Sequence, residues 1–293
     1  MTETLDAPSS DLAPAAGPVP VPAPLVAALG AVLGKVEAAV AEPDAVEMVH
    51  DARKALKEYR SLLRLLATDA ARAARRHAAE VARGLAQARD RATAREALDL
   101  LDEAGLALSC DIAAARAAIG ADSAAAEDAA TLRAHLAAFV ADARARLSGG
   151  LEDEAAAVDI VEGLRKGYRA ARRGAFGNAI AMHETRKSVV AHRYQMGFLA
   201  AAFSGRGATR AGRAQRLRDM LGAHHDIEVL RPMLHAAADS LGEGALERLG
   251  IAMARLQKRL KRQAVRLHRE LFRRSPRKFA RRFRRRIKAP AAA

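Results

Sequence analysis

His50-Asp51-Ala52-Arg53-Lys54-Ala55-Leu56 is written a second time, as His183-Glu184-Thr185-Arg186-Lys187-Ser188-Val189. Both copies read His, acid, any, Arg, Lys, small, aliphatic. At about 100° per residue on a helix, His50, Arg53, Lys54, Lys57, Arg60 and Arg64 share one arc. His183, Arg186, Lys187 and Arg193 share the matching arc of the second copy. The opposite faces are apolar: Val49, Ala52, Leu56, Tyr59, Leu63 and Leu66 in one, Met182, Val189, Met196 and Leu199 in the other. Each copy therefore predicts an amphipathic helix whose polar face is almost entirely cationic.

A second phrase follows each copy. It is Leu85-Ala86-Gln87-Ala88-Arg89-Asp90 after the first and Leu221-Gly222-Ala223-His224-His225-Asp226 after the second. The interval from His50 to His183 is nearly the interval from Asp90 to Asp226. Two phrases in the same order at nearly the same offset indicate an internal duplication. Each half is too long for a solenoid unit, so two half-domains related by an approximate two-fold axis are expected.

The chain has 293 residues, 51% of them hydrophobic, and only 3% aromatic. Much of the apolar content is Ala, which favours helix and buries little area. Runs of strand-type β-branched residues are missing. An all-α fold of closely packed helices follows, with two four-helix-bundle-like halves over about 25–148 and 151–275. Residues 1–24 carry five prolines from Pro14 to Pro24 and read as a disordered, extended lead-in. Asp44 is placed to cap the helix of the first phrase. Asp69 to Gln87 is expected to be helical and to add Arg76 and Arg83 to the cations, with Arg89 close behind. A helix ending near Arg173 adds Lys166, Arg169 and Arg173. A helix past Gly207 brings Arg216 and Arg218, and another is expected from Ile227 to Leu241. In the last long helix, Arg255, Arg259, Arg262, Arg266, Arg269 and Arg273 fall within about ±40° of one line. Residues 276–293 read as a basic tail with Phe279, Phe283 and Ile287 between its charges. Such a tail could extend a polyanion track, bind nucleic acid, or lie on an anionic surface.

The formal net charge is +15. Self-repulsion of that size adds nothing to stability, so a polyanionic partner is the natural inference. One cysteine, Cys110, excludes an internal disulfide and a Cys-based zinc site; it is expected to be buried and inert. No signal peptide is read in the acidic N-terminus, and no stretch is read as approaching the length needed to span a bilayer. A cytoplasmic location is expected.

Taken together, the two His-acid-x-Arg-Lys helices, each followed by a Leu-led segment ending in Asp, resemble the conserved-histidine α-helical domain, or CHAD, family. The resemblance covers about Pro24 to Arg273. It implies two four-helix bundles with a basic cavity between them, binding of inorganic polyphosphate, and association with polyphosphate granules and their proteins. Carried over by position, the anion ligands are His50, Arg53, Lys54, Lys57 and Arg60, with His183, Arg186, Lys187 and Arg193. Val190 stands where the family usually repeats a Lys, and Gly197 where an acid is common. Arg218-Asp219 and His225-Asp226 replace its frequent Gln-Asp and Asn-Asp, and Arg218 is a candidate to compensate for Val190. The Glu-x-Glu-x-Lys signature of the triphosphate-tunnel domain that accompanies some members is absent.

Polyphosphate has no base edges and no stacking faces. Its receptor needs many cations at regular spacing, with Arg as a planar fork and Lys as a point charge. The rival reading of any one charge run is a solvated helix face. Duplication of the arc and the scarcity of acids on it argue against that reading. His224-His225-Asp226 is a poor metal cluster, because adjacent helical residues point about 100° apart; neither metal nor cofactor is expected, and His225 counts instead among the candidate polyphosphate ligands. No carboxylate pair suited to catalysis is evident, so a binding protein and not an enzyme is expected. A nucleic-acid-binding protein is the alternative, with the basic tail as its contact. It is disfavoured by the few aromatics and the lack of a duplex-reading motif.

Overall fold

The computed structural model describes residues 23–85, 90–120, 126–149, 160–203, 207–242 and 244–287. Among them are eleven α-helices and no strand. In chain order they are α1 (Ala23–Ala41), α2 (Ala45–Leu63), α3 (Asp69–Gly84), α4 (Asp90–Glu103), α5 (Ser109–Ile119) and α6 (Ala126–Ser148). The series continues with α7 (Ile160–Arg172), α8 (Ala179–Ala202), α9 (Ala208–Ala236), α10 (Ala245–Leu271) and α11 (Pro276–Ile287). The all-α expectation holds.

Both duplicated helices start at a side-chain cap, at Asp44 as expected and at Asn178 in the second copy. The Asp44 carboxylate accepts from the backbone N–H of Val46 and Glu47, and the Asn178 side chain accepts from Ala181 N–H. Both caps satisfy amides that a helix start leaves without partners. The apolar arcs of α2 and α8 are buried as expected, from Val49 to Leu66 and from Met182 to Leu199.

One hydrophobic core joins α1, α2, α3, α6, α7, α8 and α11 with the first part of α9 and the last part of α10. A second core joins α4 and α5 with the later part of α9 and the first part of α10. The break between cores therefore does not coincide with the break between the two sequence copies. Helices α4 and α5, from the first copy, pack on α9 and α10 of the second. Between the copies, α2 lies directly against α8. Two hydrogen bonds tie the pair: Tyr194 OH donates to Lys54 O at 3.3 Å, and Gln195 Nε2 donates to Ser61 O at 3.1 Å.

Several expectations are corrected here. Helix α9 runs unbroken from Ala208 through the expected break near Ile227, with Pro232 inside its last turns. Burial of Leu230 and Leu234 on either side of Pro232 offsets the hydrogen bond that proline cannot make. Helix α1 begins at Ala23, two residues inside the expected lead-in, so Pro24 sits in a first turn where a missing N–H costs nothing. By length and composition α1 is apolar enough to cross a bilayer, contrary to the sequence reading. In the fold it is a core helix, with Leu25, Leu29, Val32, Leu33 and Val36 buried. Cys110 is exposed, not buried, because it falls on the outer side of the first turn of α5.

The expected tail is a docked helix over its described length. Phe279 stacks on Tyr168 of α7 at 4.0 Å between centroids and 11° between planes, and Phe283 is also buried. Those two rings are part of the protein core and are not available for insertion into a membrane surface. The docking is held by a half-buried charge: Arg210 donates from Nε to His192 Nε2 at 2.8 Å and lies over the rings of Tyr168 and Phe279. Cation–π attraction at these faces supports a guanidinium without a carboxylate partner among the described residues.

Candidate functional site

The cationic arcs of α2 and α8 face one concavity, closed by α4 and α9. Its inner part, about 300 Å³, is lined by Arg53, Lys57, Arg60 and Arg64 from the first copy and by His183, Arg186, Lys187 and Arg193 from the second. Arg218, His225 and Asp226 of α9 and Thr93 of α4 complete it. The outer part, about 570 Å³, adds His50 and Lys54. Lys57, Arg186, Arg193, Tyr194, Arg218 and Asp226 line both parts, so the two are continuous.

Each repeated arginine meets the second phrase of its own copy. Arg53 Nη1 donates to Leu85 O at 2.6 Å. The Arg186 guanidinium lies over Gly222, where a methyl group would stand 3.5 Å from Nη2. In each copy the second phrase thus lies beside the arginine of the first. Each repeated lysine is met by the acid of its own phrase, Asp51 to Lys54 at 4.0 Å and Glu184 to Lys187 at 2.6 Å. These pairs are exposed and cost little to open.

The arginines deeper in the cavity are electrostatically strained. Burial holds Arg60 and Arg64 below the usual arginine range, and neighbouring guanidiniums (Arg75 and Arg83 beside Arg60, and Arg60 beside Arg64) push the same way. Arg60 Nε and His183 Nδ1 are buried with no hydrogen-bond partner. The rings of His183 and His225 stand 4.7 Å apart between centroids. Burial, followed by Arg186 and His183, depresses His225 to about 4. Burial also lowers His183, with Lys187 and Arg186 adding to it. Both imidazoles are neutral near pH 7. Anionic oxygens placed among these groups would relieve the repulsion and satisfy the unused donors.

Not every expected site residue is gathered here. Arg76 and Arg83 of α3 and Lys166, Arg169 and Arg173 at the end of α7 are outside the lining of the cavity. Arg216 is exposed on α9, away from it. Arg255, Arg259 and Arg262 form an exposed face of α10, as a solvated row does. Arg89 lies outside the described residues. Val190 does line the inner cavity, and Arg218 lines it too.

Two groups of lining residues were missed. Ser61 and Tyr194 hold the same position in the two copies, about 20° from His50 and His183 around the helix, so periodicity could have found them. Glu96, Asp99 and Glu103 of α4 give the outer part an acidic wall. No sequence signal pointed to them, because only tertiary packing brings α4 to α9. Among the described residues no three His, Cys, Asp or Glu side chains come together to hold a metal.

The CHAD domain family matches residues 25–235, most of the chain and both copies of each phrase. The chain belongs to the CHAD family. The match ends before α10, short of the expected Arg273. The solved structure of PptA from Streptomyces chartreusis superposes with a TM-score of 0.57 at 16% identity, covering 87% of this chain and 100% of that one. At such identity the likeness concerns the fold. No curated protein matches the chain. CHAD membership accounts for the recurrence of the His-acid-x-Arg-Lys helices, and the geometry shows what the recurrence builds: one cavity with cations from both copies.

Proposed function

We propose that this CHAD protein binds inorganic polyphosphate in the α2/α8 cavity, in the cytoplasm and at polyphosphate granules, without transforming it. The observation that carries the reading is the convergence of both duplicated cationic arcs on one continuous concavity. A linear chain with a charge on each phosphate matches such a channel. Arg53 is held by a backbone carbonyl and Arg186 lies over Gly222, while Lys54 and Lys187 need only leave weak surface pairs. A space of a few hundred Å³ suits a single phosphate chain better than a duplex, so nucleic acid is the poorer ligand. The fold resemblance and family membership support the same ligand class.

The test is binding of long-chain polyphosphate across a salt series, in competition with duplex DNA. Replacing Arg53, Lys54, Arg186 and Lys187 together by Ala is expected to remove most affinity while the helical circular dichroism signal stays, since Ala favours helix. A folded quadruple variant that binds like the parent would overturn the site. Displacement of polyphosphate by duplex DNA at physiological salt would favour nucleic acid instead.

A further inference from the structure

A second basic concavity, about 540 Å³, lies between the end of α7 and the last turns of α10. Arg172, Arg269 and Arg273 line it, over a floor of His268, Phe176 and Phe272. It shares no lining residue with the α2/α8 cavity. The two sites lie on opposite sides of the start of α8. His183, Arg186 and Lys187 face the cavity, whereas Thr185, roughly the far side of the helix, holds the wall of the second concavity. Thr185 Oγ1 accepts from Ala175 N–H at 2.9 Å and donates within reach of Ala175 O at 3.0 Å.

The notch is built tightly. A Cβ at Gly174 would stand 2.6 Å from Thr185 Cγ2 and 2.8 Å from His268 Nε2, so only glycine lets this turn approach. The buried His268 ring donates from Nε2 to Ala171 O at 2.8 Å, which fixes the floor. Arg172 Nε donates to Phe272 O at 3.2 Å, and its terminal nitrogens remain for a ligand. Among the described residues Arg269 and Arg273 have no carboxylate partner; the nearby Glu270 turns to Arg266 at 3.4 Å. Arg172 and Arg269 fall in the last turns of α7 and α10. The partial negative charge of two helix C-termini lets these guanidiniums gather without acids. What results is a concave set of three planar forks, one of them held by a backbone carbonyl, the kind of group that grips phosphate oxygens.

We propose that this concavity is a second polyphosphate site, which makes one protein able to hold two chain segments and so to cross-link polyphosphate. This rests on the proposed function for the nature of the ligand. Bivalent engagement raises avidity without new contacts and links separate chains when the two sites cannot share one segment.

The test uses the full chain with tripolyphosphate in calorimetry and long-chain polyphosphate in light scattering. The parent is expected to take up one more equivalent of tripolyphosphate than the Arg269→Ala/Arg273→Ala variant, and to form scattering assemblies with long chains. That variant is expected to keep cavity binding and lose cross-linking. An Arg53→Ala/Arg186→Ala variant should keep the second equivalent. Unchanged stoichiometry and scattering in Arg269→Ala/Arg273→Ala would overturn the second site while leaving the cavity intact. Parent-like binding in Arg53→Ala/Arg186→Ala, with all uptake lost in Arg269→Ala/Arg273→Ala, would overturn the cavity reading and retain this one.

Discussion

His225, a candidate anion ligand by sequence, owes its chemistry to its neighbours in the fold. On α9 it faces His183 and Arg186 of α8, with Asp226, Glu228 and His224 beside it on its own helix. Burial and the two α8 groups hold it at about 4, with Glu228 opposing. Polyphosphate in the cavity would add negative charge next to the ring and raise that value. A group whose pKa is higher in the bound state takes up a proton on binding, so affinity must grow as pH falls through the window between the bound value and about 4. We expect polyphosphate affinity at fixed salt to rise from pH 7 to pH 5, by up to about tenfold per proton taken up per pH unit. The His225→Gln variant should show a flatter profile. A parent profile that is flat, or that weakens toward pH 5, would mean that no histidine feels the ligand. The arginines and lysines of the site were legible in the sequence because spacing alone puts them on one arc. The low pKa of His225 was not, because it comes from packing between α8 and α9.

At the scale of elements, α11 separates what was legible from what was not. Its charge density reads as a basic tail for a polyanion track, nucleic acid or an anionic surface, with the three apolar residues among those charges. Yet Phe279 and Phe283 lie one turn apart, and their partners Tyr168, His192 and Arg210 come from three other helices. No local pattern names such partners. The cap at Asp44 and the buried faces of α2 and α8 are local, and they matched. The pairing of α4 and α5 with the second copy is tertiary, and it did not follow from the halves. If α11 is structural, Phe279→Ala should cost about 3–5 kcal/mol, the range for large aromatic truncations in cores. It should lower the thermal midpoint while Arg281→Ala on the exposed side leaves it nearly unchanged. Loss of polyphosphate affinity without loss of stability in Phe279→Ala would show α11 to be a tail after all. Acid should expose the same cluster. His192 is fully buried, and burial, with Arg210 adding to it, holds its pKa well below the ordinary value. Its contribution is complete above about pH 6.5 and is lost as pH falls below that, at up to about 1.4 kcal/mol per unit for one group.

For the whole molecule, the net charge of +15 acts twice and with opposite signs. Without ligand, salt screens repulsion among the gathered arginines, so added salt should raise the thermal midpoint. With polyphosphate bound, salt weakens binding through screening and counterion release. Ligand stabilisation follows mass action, about 2.7 kcal/mol at a hundredfold excess over Kd, and must shrink as Kd rises. The midpoints measured with and without polyphosphate should therefore converge as salt increases, one falling and the other rising. Two parallel curves would separate the ligand from the charge. A free-protein curve that falls with salt would mean that the arginine clusters are held by attraction, not tolerated against repulsion. The Arg53, Lys54, Arg186 and Lys187 quadruple variant gives the control. It should start at a higher midpoint than the parent in low salt, because four repelling cations are gone, and should gain little from polyphosphate. A cluster that destabilises the empty protein and is relieved by a polyanion is the thermodynamic mark of a site kept for binding.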